Sequence, residues 1–369
     1  MDRRYFLASG SALAAHSAFA QGAATRIGTA MIGTGNRGSY VLKGVMEQAE
    51  AKVVALCDTK PDRLDKAATA AAKDNPSTTT DWRKVIDRKD VEAVFIATPP
   101  HLHAEMAIAA IRAGKHVYCE KPIGITPRQV ADIVKAAQGS NKVFISGQQM
   151  RSMRNYRDAV KRIREGAIGD VLWVKAQRHG QTDLPHEGPS ADWYFDVTKS
   201  GGYLVEMSVH NLDLCNWVIG AHPDTVSGSG SIALYKNQPP GRTIFDTGSL
   251  TYTYPNGVNM SFTQMVFHPR TLPQNGQYVW VYGSKGAVDL MGTGLFHPLD
   301  GKTAPTEFVS KDRTPEFEHV TAFYKAITEK APVPADIVVG ATAALTAIMG
   351  HEAMAQRRIV DWKSLGVAV

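Results

Sequence analysis

The chain has 369 residues, more than one ordinary hydrophobic core needs, which favours about two domains. Hydrophobic residues make up 44% and charged residues 21%, as in an ordinary globular protein, and neither a low-complexity tract nor a repeat is present. The net charge of +6 and the pI near 9.1 come from basic residues spread along the chain, so we predict no nucleic-acid partner. A modest positive field suits a phosphate-bearing cofactor equally well.

Residues 1–20 have the pattern of a twin-arginine export signal. Asp2-Arg3-Arg4-Tyr5-Phe6-Leu7 precedes a small, apolar stretch, and Ala18-Phe19-Ala20 supplies a cleavage site before Gln21. The alternative is a frayed amphipathic helix. The apolar stretch is too short and too rich in Ala and Ser to predict a membrane span. We therefore expect a periplasmic protein that takes up its cofactor before it is exported in folded form.

The three cysteines, Cys57, Cys119 and Cys215, lie inside apolar runs. Their number is odd and no C-x-x-C spacing occurs, so we predict buried thiols and neither disulfides nor metal ligands.

The first predicted strand, 27–32, ends in Gly33-Thr34-Gly35-Asn36-Arg37-Gly38 and leads into a helix. The first glycine permits a tight turn, the second allows backbone N–H groups to approach a pyrophosphate, and the third allows close packing of helix on strand. The helix N-terminus adds positive partial charge. A bare G-x-G-x-x-G is often only a loop, but here the strand and helix around it are present. This turn therefore predicts a nicotinamide dinucleotide site.

The second predicted strand, 52–57, delivers Asp58 twenty residues after Gly38. A carboxylate at this place can accept hydrogen bonds from both ribose hydroxyls, which favours NAD. Lys60 and Arg63 could instead hold a 2′-phosphate, so NADP remains possible.

Helices and strands continue to alternate up to residue 146, which is typical of a doubly wound parallel sheet. The remaining predicted elements are a helix near 60–72, a strand at 93–97, a helix opening at 98–103, a strand at 116–119, a helix near 127–138 and a strand at 142–146. Ligands of such sheets lie beyond the carboxyl ends of the strands. The candidate cofactor-binding residues are Gly33, Thr34, Gly35, Asn36, Arg37, Gly38, Asp58, Thr98, Pro99, His103, Glu120 and Lys121. We assign no chemical step to His101, His103 or His116.

Lys121 follows an apolar strand and precedes Pro122, which holds its backbone on the cofactor side of the sheet. A solvated loop charge is the ordinary alternative. Hydride removal from a carbinol requires that a proton leaves the hydroxyl, and a lysine beside a nicotinamide cation can assist.

The second half begins with a predicted basic helix at 156–164, a strand at 171–178 and a polar, aromatic loop at 179–200 that includes Trp193. A buried helix follows, from Gly202 to Gly220. At helical spacing, one stripe of this helix carries Glu206, His210, Asp213 and Trp217. Apolar residues cover the other directions, so the stripe is not a solvated face.

Buried ionisable groups must be paired or serve a site. One interpretation is a Glu–His or His–Asp pair that merely holds the helix. The other is a histidine that accepts a proton from substrate and is oriented by Glu206 or Asp213. A zinc site is the less favoured interpretation, because the stripe offers two carboxylates, one histidine and no cysteine. We therefore expect no metal.

After residue 225 the pattern predicts strands at 226–234, 246–254, 257–267, 279–282 and 287–290, with turns at Asn256-Gly257 and 283–286. These form an open, mainly antiparallel sheet with the Gly202 to Gly220 helix on one face. The other face is a candidate interface for a homo-oligomer. Two helices, near 315–329 and 335–356, close the chain.

Taken together, these motifs resemble those of the Gfo/Idh/MocA family of sugar and polyol oxidoreductases. The shared residues are Gly33-x-Gly35-x-x-Gly38, Ala97-Thr98-Pro99, Gly114-Lys115-His116-Val117, Glu120-Lys121-Pro122, and Gly202 with His210 and Asp213. The resemblance implies a Rossmann domain at 26–147, a substrate-binding and oligomerisation domain of α+β type at 148–369 whose final helix can pack back on the first, and Lys121 with His210 next to the nicotinamide C4. It also places Gln149 and Arg151 in the region where family members contact substrate.

One departure concerns Glu206, because the family commonly has Asp four residues before the histidine. The export signal resembles that of exported members such as glucose-fructose oxidoreductase. Since free NAD is scarce outside the cytoplasm, a tightly held cofactor would be regenerated in place.

The main functional hypothesis is an NAD(P)-dependent oxidation of a sugar or glycoside carbinol. Lys121, His210, Glu206 and Asp213 are the candidate catalytic residues, and Lys121, Gln149, Arg151, Trp193 and His210 the candidate substrate-binding residues. The alternatives are an NAD-dependent glycoside hydrolase with a redox-neutral oxidation and elimination cycle, and a non-catalytic sugar- or cofactor-binding protein.

Overall fold

The computed structural model describes residues 26–180, 193–269, 271–272, 276–312 and 314–369. The predicted export signal, residues 1–20, and most of the predicted polar loop at 179–200 lie outside these ranges.

The first domain is built on a six-stranded sheet with order β3-β2-β1-β4-β5-β6 in which all neighbours are parallel. The strands are β1 (Ile27–Ile32), β2 (Ala51–Cys57), β3 (Ser77–Thr79), β4 (Ala93–Ile96), β5 (His116–Cys119) and β6 (Phe144–Ser146). The helices are α1 (Asn36–Met46), α2 (Pro61–Ala70), α3 (Trp82–Ile86), α4 (His103–Arg112) and α5 (Pro127–Gln138). Every residue of β1 and β4 is buried, as expected for a parallel sheet covered by helices on both faces. The strand order reverses between β1 and β4, which is where such sheets bind ligands.

The second domain contains a nine-stranded sheet with order β14-β13-β12-β11-β7-β10-β9-β8-β15. Its strands are β7 (Val171–His179), β8 (Thr225–Ser231), β9 (Thr247–Thr253), β10 (Asn259–Met265), β11 (Gln277–Gly283), β12 (Gly286–Asp289), β13 (Leu295–Pro298), β14 (Thr306–Glu307) and β15 (Val360–Asp361). Its helices are α6 (Arg154–Arg164), α7 (Val197–Ser200), α8 (Val209–Ile219), α9 (Glu318–Thr328) and α10 (Ile337–Gln356). Only β7 and β10 pair in parallel, and the other neighbours are antiparallel. The predicted fold class is confirmed.

The closing helices connect the two sheets. Phe323 at the middle of α9 packs edge-on against Phe95 of β4, with ring centroids 4.9 Å apart. Gly340 in α10 lies so close to Ser146 that an added Cβ would stand 2.7 Å from the Ser146 Cβ. Within the described part of the chain, α10 is the one helix long and apolar enough to cross a membrane, and 67% of its apolar window is buried inside the protein. We interpret α10 as a core helix.

The sequence missed several short elements and misplaced several strand ends by two or three residues. Strands β3, β13, β14 and β15 and helix α3 have two to five residues each, too few for a periodic pattern to be visible. The predicted strand 226–234 ends early, at Ser231. The reason is that the backbone N–H groups of Ala233 and Leu234 donate to the Asp246 carboxylate, at 2.7 and 2.9 Å, and not to a neighbouring strand.

The predicted helix from Gly202 to Gly220 is present, but its first part is π-helical and not α-helical. Leu204–Ser208 forms a π-helical turn, and α8 begins only at Val209. A π-helical turn holds more residues than an α-helical turn, so Glu206 is rotated away from the direction that α-helical spacing predicts. Glu206 is therefore separated from the stripe that carries His210, Asp213 and Trp217.

Candidate active site

The glycine turn follows β1 and has the geometry that a dinucleotide requires. Gly33 has φ +87°, a conformation that favours glycine, and a Cβ there would lie 2.6 Å from the Ala97 carbonyl oxygen. A Cβ at Gly38 would overlap the Gly33 carbonyl oxygen. Helix α1 has Gly35 at its N-cap, and no side chain caps the first turn. Its N–H groups are therefore available to a phosphate.

Asp58 stands directly after β2 and is 7% exposed. One carboxylate oxygen accepts from the Thr34 N–H at 2.7 Å, and the other accepts from the Lys60 N–H at 2.9 Å. The Thr34 hydroxyl also donates to the first of these oxygens, at 3.3 Å. These bonds fix the carboxylate beside the glycine turn, and the oxygen bound by the Lys60 N–H retains a further lone pair that a ribose hydroxyl can use. The turn and Asp58 thus fit the pyrophosphate and ribose of a dinucleotide.

A cleft of about 650 Å³ joins this turn to the second domain. Most of the residues predicted from sequence line it: Gly33, Gly35, Asn36, Arg37, Asp58, Thr98, Pro99, His103, Glu120, Lys121, Trp193 and Glu206. The far wall also includes Tyr194, Lys199 and Tyr203, which the sequence did not single out. Tyr194 and Lys199 belong to the predicted loop, which has no periodic pattern, and Tyr203 stands at the start of the predicted helix. The predicted residues Thr34, Gly38, Gln149, Arg151, His210 and Asp213 are outside the lining.

Lys121 lies where the cleft passes from one domain to the other. Its ammonium donates to the Glu206 carboxylate at 2.8 Å and to the Glu206 main-chain carbonyl at 2.6 Å. Both side chains are 12% exposed. The second carboxylate oxygen of Glu206 is buried and has no hydrogen-bond partner among the described residues. The π-helical turn and the length of a glutamate together bring this carboxylate to the lysine.

The prediction that Glu206 or Asp213 orients His210 is wrong. Glu206 is held by Lys121, and the Asp213 carboxylate accepts two hydrogen bonds from Arg151, at 3.0 and 2.8 Å. A cation compensates a buried carboxylate better than a neutral imidazole does, so each carboxylate pairs with a cation. His210 Nδ1 lies instead 3.0 Å from Oε1 of Gln148, a residue that sequence reasoning missed although it stands two positions after β6.

Gln149 and Arg151 do not reach the cleft, contrary to their predicted substrate-binding role. Arg151 binds Asp213 and stacks over the Trp217 ring, 4.8 Å from its centroid. Burial raises the pKa of Asp213 above its usual value, although Arg151 opposes this. Gln149 accepts a hydrogen bond from Arg37. Arg151 therefore connects its segment to α8, and Gln149 connects the same segment to α1.

Arg37 of the glycine turn is tied to the strand that precedes Lys121. It donates to Glu120 at 2.7 Å and stacks on Tyr40. Burial alone would raise the pKa of Glu120, but the charges of Arg37 and Lys121 outweigh it, and this pKa lies below its ordinary value. The buried Glu120 carboxylate thus connects the glycine turn to the segment after β5 that carries Lys121.

His103 lines the cleft, but both of its ring nitrogens are engaged. Nδ1 lies 2.7 Å from the Pro122 carbonyl oxygen and Nε2 lies 2.8 Å from the Thr98 carbonyl oxygen. Its side chain therefore positions the Thr98 and Lys121 loops and has no free nitrogen for a cofactor. His103 therefore lies in the cleft, where the sequence placed it as a candidate cofactor-binding residue, but its ring contacts the protein backbone.

The three cysteines are free and buried, as predicted. Among the described residues, no three His, Cys, Asp or Glu side chains are grouped so that they could hold a metal ion.

Comparison with known proteins assigns the chain to a family. A model described as the oxidoreductase family with NAD-binding Rossmann fold matches residues 27–148, and the GFO/IDH/MocA C-terminal domain matches residues 156–289. A 2,7-anhydro-N-acetylneuraminate hydratase of Mediterraneibacter gnavus is 30% identical over 287 residues, which are 75% of this chain and 71% of that protein. The chain belongs to the Gfo/Idh/MocA family. The NAD predicted for the glycine turn is thereby confirmed.

Two further Gfo/Idh/MocA comparisons extend over both domains. An inositol 2-dehydrogenase of Rhizobium meliloti is 27% identical over 260 residues, 70% of this chain and 73% of that protein. The solved structure of a levoglucosan dehydrogenase in complex with NADH and levoglucosan has a TM-score of 0.76 at 23% identity and covers 91% of this chain and 99% of that one. The latter likeness shows the shared fold.

Proposed function

We propose that this chain is an NAD-dependent oxidoreductase whose substrate is a carbinol of a sugar or glycoside. The observation that carries the proposal is the position of Lys121, whose paired ammonium lines one cleft together with the glycine turn and Asp58. Aromatic side chains at the far wall, Trp193, Tyr194 and Tyr203, offer flat apolar surfaces beside polar groups, as small-molecule sites commonly do. An inositol dehydrogenase and a levoglucosan dehydrogenase among the similar proteins support a polyhydroxylated substrate.

The glycine turn, the N-terminus of α1 and Asp58 would hold NAD, which would supply the acceptor for the hydride that leaves the carbinol carbon. The chain's own residues manage the proton that the carbinol hydroxyl loses as a carbonyl forms. Lys121 donates a hydrogen bond to the substrate oxygen. We infer that His210, which is outside the cleft lining but near enough to Lys121 for that charge to act on its ring, provides the neutral imidazole that accepts the proton. Glu206 keeps Lys121 in place.

The test is turnover of the purified protein with a panel of aldoses, inositols and glycosides, followed by the absorbance of reduced nicotinamide. We expect reduction with at least one polyol. Protein that contains NAD and reduces it with none of these compounds would contradict the proposal.

A second candidate is a redox-neutral cycle in which the bound cofactor is reduced and reoxidised within one turnover. The similarity to a hydratase, whose name denotes a reaction without net oxidation, favours it. Release of aglycone from aryl glycosides, or hydration of an anhydro sugar, without accumulation of NADH would distinguish this cycle from a net dehydrogenase.

We also propose that the protein is exported in folded form with NAD tightly bound. The support is the paired Arg3-Arg4 before a short apolar stretch and an Ala-x-Ala site. Cell fractionation should find the protein, with a stoichiometric nucleotide, in the periplasm. The Arg3→Lys/Arg4→Lys variant should remain in the cytoplasm, and periplasmic recovery of that variant would contradict this route.

We further propose that the chain forms a homo-oligomer through the outer face of the large sheet, defined by Trp173, Lys175, Tyr278, Trp280 and Tyr282. The support is a pair of exposed aromatic side chains that lie opposite each other on neighbouring strands. Trp173 is 41% exposed, its cross-strand partner Tyr282 is 37% exposed, and exposed apolar surface of this kind is typical of an interface. Light scattering should give a dimer or larger assembly, and Trp173→Glu should reduce it to monomer. A monomeric parent protein at micromolar concentration would contradict the proposal.

A further inference from the structure

Gln148 is a buried amide at the carboxyl edge of the parallel sheet. It follows β6 by two residues and is 1% exposed. Its Oε1 lies 3.0 Å from Nδ1 of His210, which stands in the first turn of α8 in the other domain. The contact joins residues 62 positions apart in the chain.

This contact bears on which ring nitrogen of His210 carries the proton. An amide oxygen has no hydrogen to donate, so with Oε1 facing Nδ1 the ring nitrogen is the donor, and Nε2 of the neutral ring keeps its lone pair. We propose that Gln148 is the positioning residue that holds His210 as the Nδ1–H tautomer, so that Nε2 accepts the carbinol proton. This inference rests on the proposed oxidoreductase function for its catalytic meaning, while the tautomer itself does not depend on it.

An amide is suited to this position because it adds no charge. Both nearby carboxylates on the same helical segment are paired with cations, Glu206 with Lys121 and Asp213 with Arg151. The charged groups that act on His210 are Lys121 after β5, Arg178 of β7 and Arg37 of α1, all of them cations. Burial, together with these three charges, lowers the pKa of His210 well below its usual value. His210 is therefore neutral at pH 7, as a proton acceptor must be.

A glutamate at position 148 would change this balance. Its carboxylate keeps the acceptor but stabilises the imidazolium, so the pKa of His210 should rise. A methionine at this position has nearly the same volume and offers no comparable acceptor, so the tautomer is no longer fixed.

The experiment measures the parent protein with NAD and the variants Gln148→Met, Gln148→Glu and Gln264→Met. Gln264 is a buried glutamine of β10 that lies beside Gly248, and it serves as the matched control. The first readout is histidine ¹⁵N NMR, in which His210→Gln identifies the resonances of His210. The second is kcat and KM as functions of pH, with the dissociation constant of NAD measured in parallel.

We expect an Nδ1–H tautomer for His210 in the parent protein and in Gln264→Met. Gln148→Met should lower kcat by about 10- to 100-fold at unchanged NAD affinity. Gln148→Glu should recover much of this loss at high pH and move the acidic limb of the profile to higher pH.

An Nε2–H tautomer in the parent protein, or the same acidic limb in Gln148→Glu as in the parent, would overturn the inference. Equal losses in Gln148→Met and Gln264→Met would also overturn it, since they would show a merely structural effect. If the parent protein turns over no sugar, the proposed function fails, and the NMR readout still decides whether Gln148 fixes the tautomer.

Discussion

At the scale of single residues, the pair of Lys121 and Glu206 is the group on which the proposed chemistry depends. Replacing Lys121 by Met keeps the length of the side chain but removes the ammonium. We expect kcat/KM to fall by about 10³-fold, because positioned acid–base groups contribute roughly 10² to 10⁴. NAD affinity, measured by fluorescence titration, should change little, since the turn and Asp58 carry the pyrophosphate and ribose contacts.

Lys135→Met is the control for this substitution, because Lys135 is exposed in the last turn of α5. It should leave kcat/KM unchanged. A Lys121→Met protein with parental kcat/KM would exclude a role for Lys121 in turnover and would favour the non-catalytic binding protein.

We expect Asp58 to determine the preference between NAD and NADP. Its carboxylate is fixed by Thr34 and Lys60 and would repel a 2′-phosphate, while Arg63 lies near Gly35. Asp58→Ser should therefore shift the ratio of NAD to NADP affinity toward NADP by at least about tenfold, or about 1.4 kcal/mol. Isothermal titration with both nucleotides measures the ratio. Asp62→Ser, an exposed carboxylate in α2, should leave the ratio unchanged, and an unchanged ratio in Asp58→Ser would contradict the assignment.

At the scale of elements, α10 packs against the π-helical turn that carries Glu206. Gly350 of α10 touches this region, since an added Cβ would overlap the Tyr252 hydroxyl and stand 2.8 Å from a Leu204 methyl group. Gly350→Ala should lower the free energy of unfolding by about 1 to 3 kcal/mol, the usual cost of overpacking. Urea denaturation measures this change.

Gly139→Ala is the matched control. Gly139 ends α5 with φ −81°, and the nearest atom to an added Cβ is 3.5 Å away, so alanine should be tolerated. Equal stability of the Gly350→Ala and parent proteins would show that α10 can move away from the turn.

At the scale of the whole molecule, buried neutral histidines should make the protein sensitive to acid. Burial, with a contribution from Arg37 and opposed by Glu120, lowers the pKa of His319 to about 4. The pKa of an unfolded histidine is about 6.5, so the unfolded chain binds more protons than the folded one as the pH falls from there toward 4. The free energy of unfolding is therefore highest above about pH 6.5 and decreases below it. The loss due to His319 is on the order of 2 kcal/mol.

His319→Phe should flatten this dependence, since Nε2 of His319 is buried and has no hydrogen-bond partner among the described residues. Thermal unfolding at pH values from 7 to about 4 measures the slope. His222→Phe, at a half-buried site stacked on Trp362, should retain the parental slope. A parental slope in His319→Phe would contradict the assignment.

The sequence by itself determined the features that depend on local backbone constraints. Gly33 and Gly38 are required because a Cβ would collide with backbone, Asp58 follows the second strand in register, and Lys121 follows the fifth. The larger strands and helices were also predictable from hydrophobic periodicity. Side-chain direction repeats every two residues in a strand and every 3.6 residues in a helix, and this repeat is a local property of the backbone.

Only the tertiary structure decided the partners of the polar groups. Lys121 and Glu206 are 85 residues apart, and Gln148 and His210 are 62 apart, so no spacing rule connects them. The π-helical turn rotates Glu206 away from the stripe that regular helical spacing predicts, and Arg151 takes Asp213. A buried charge pairs with the nearest opposite charge. Which opposite charge is nearest depends on how the two domains pack against each other.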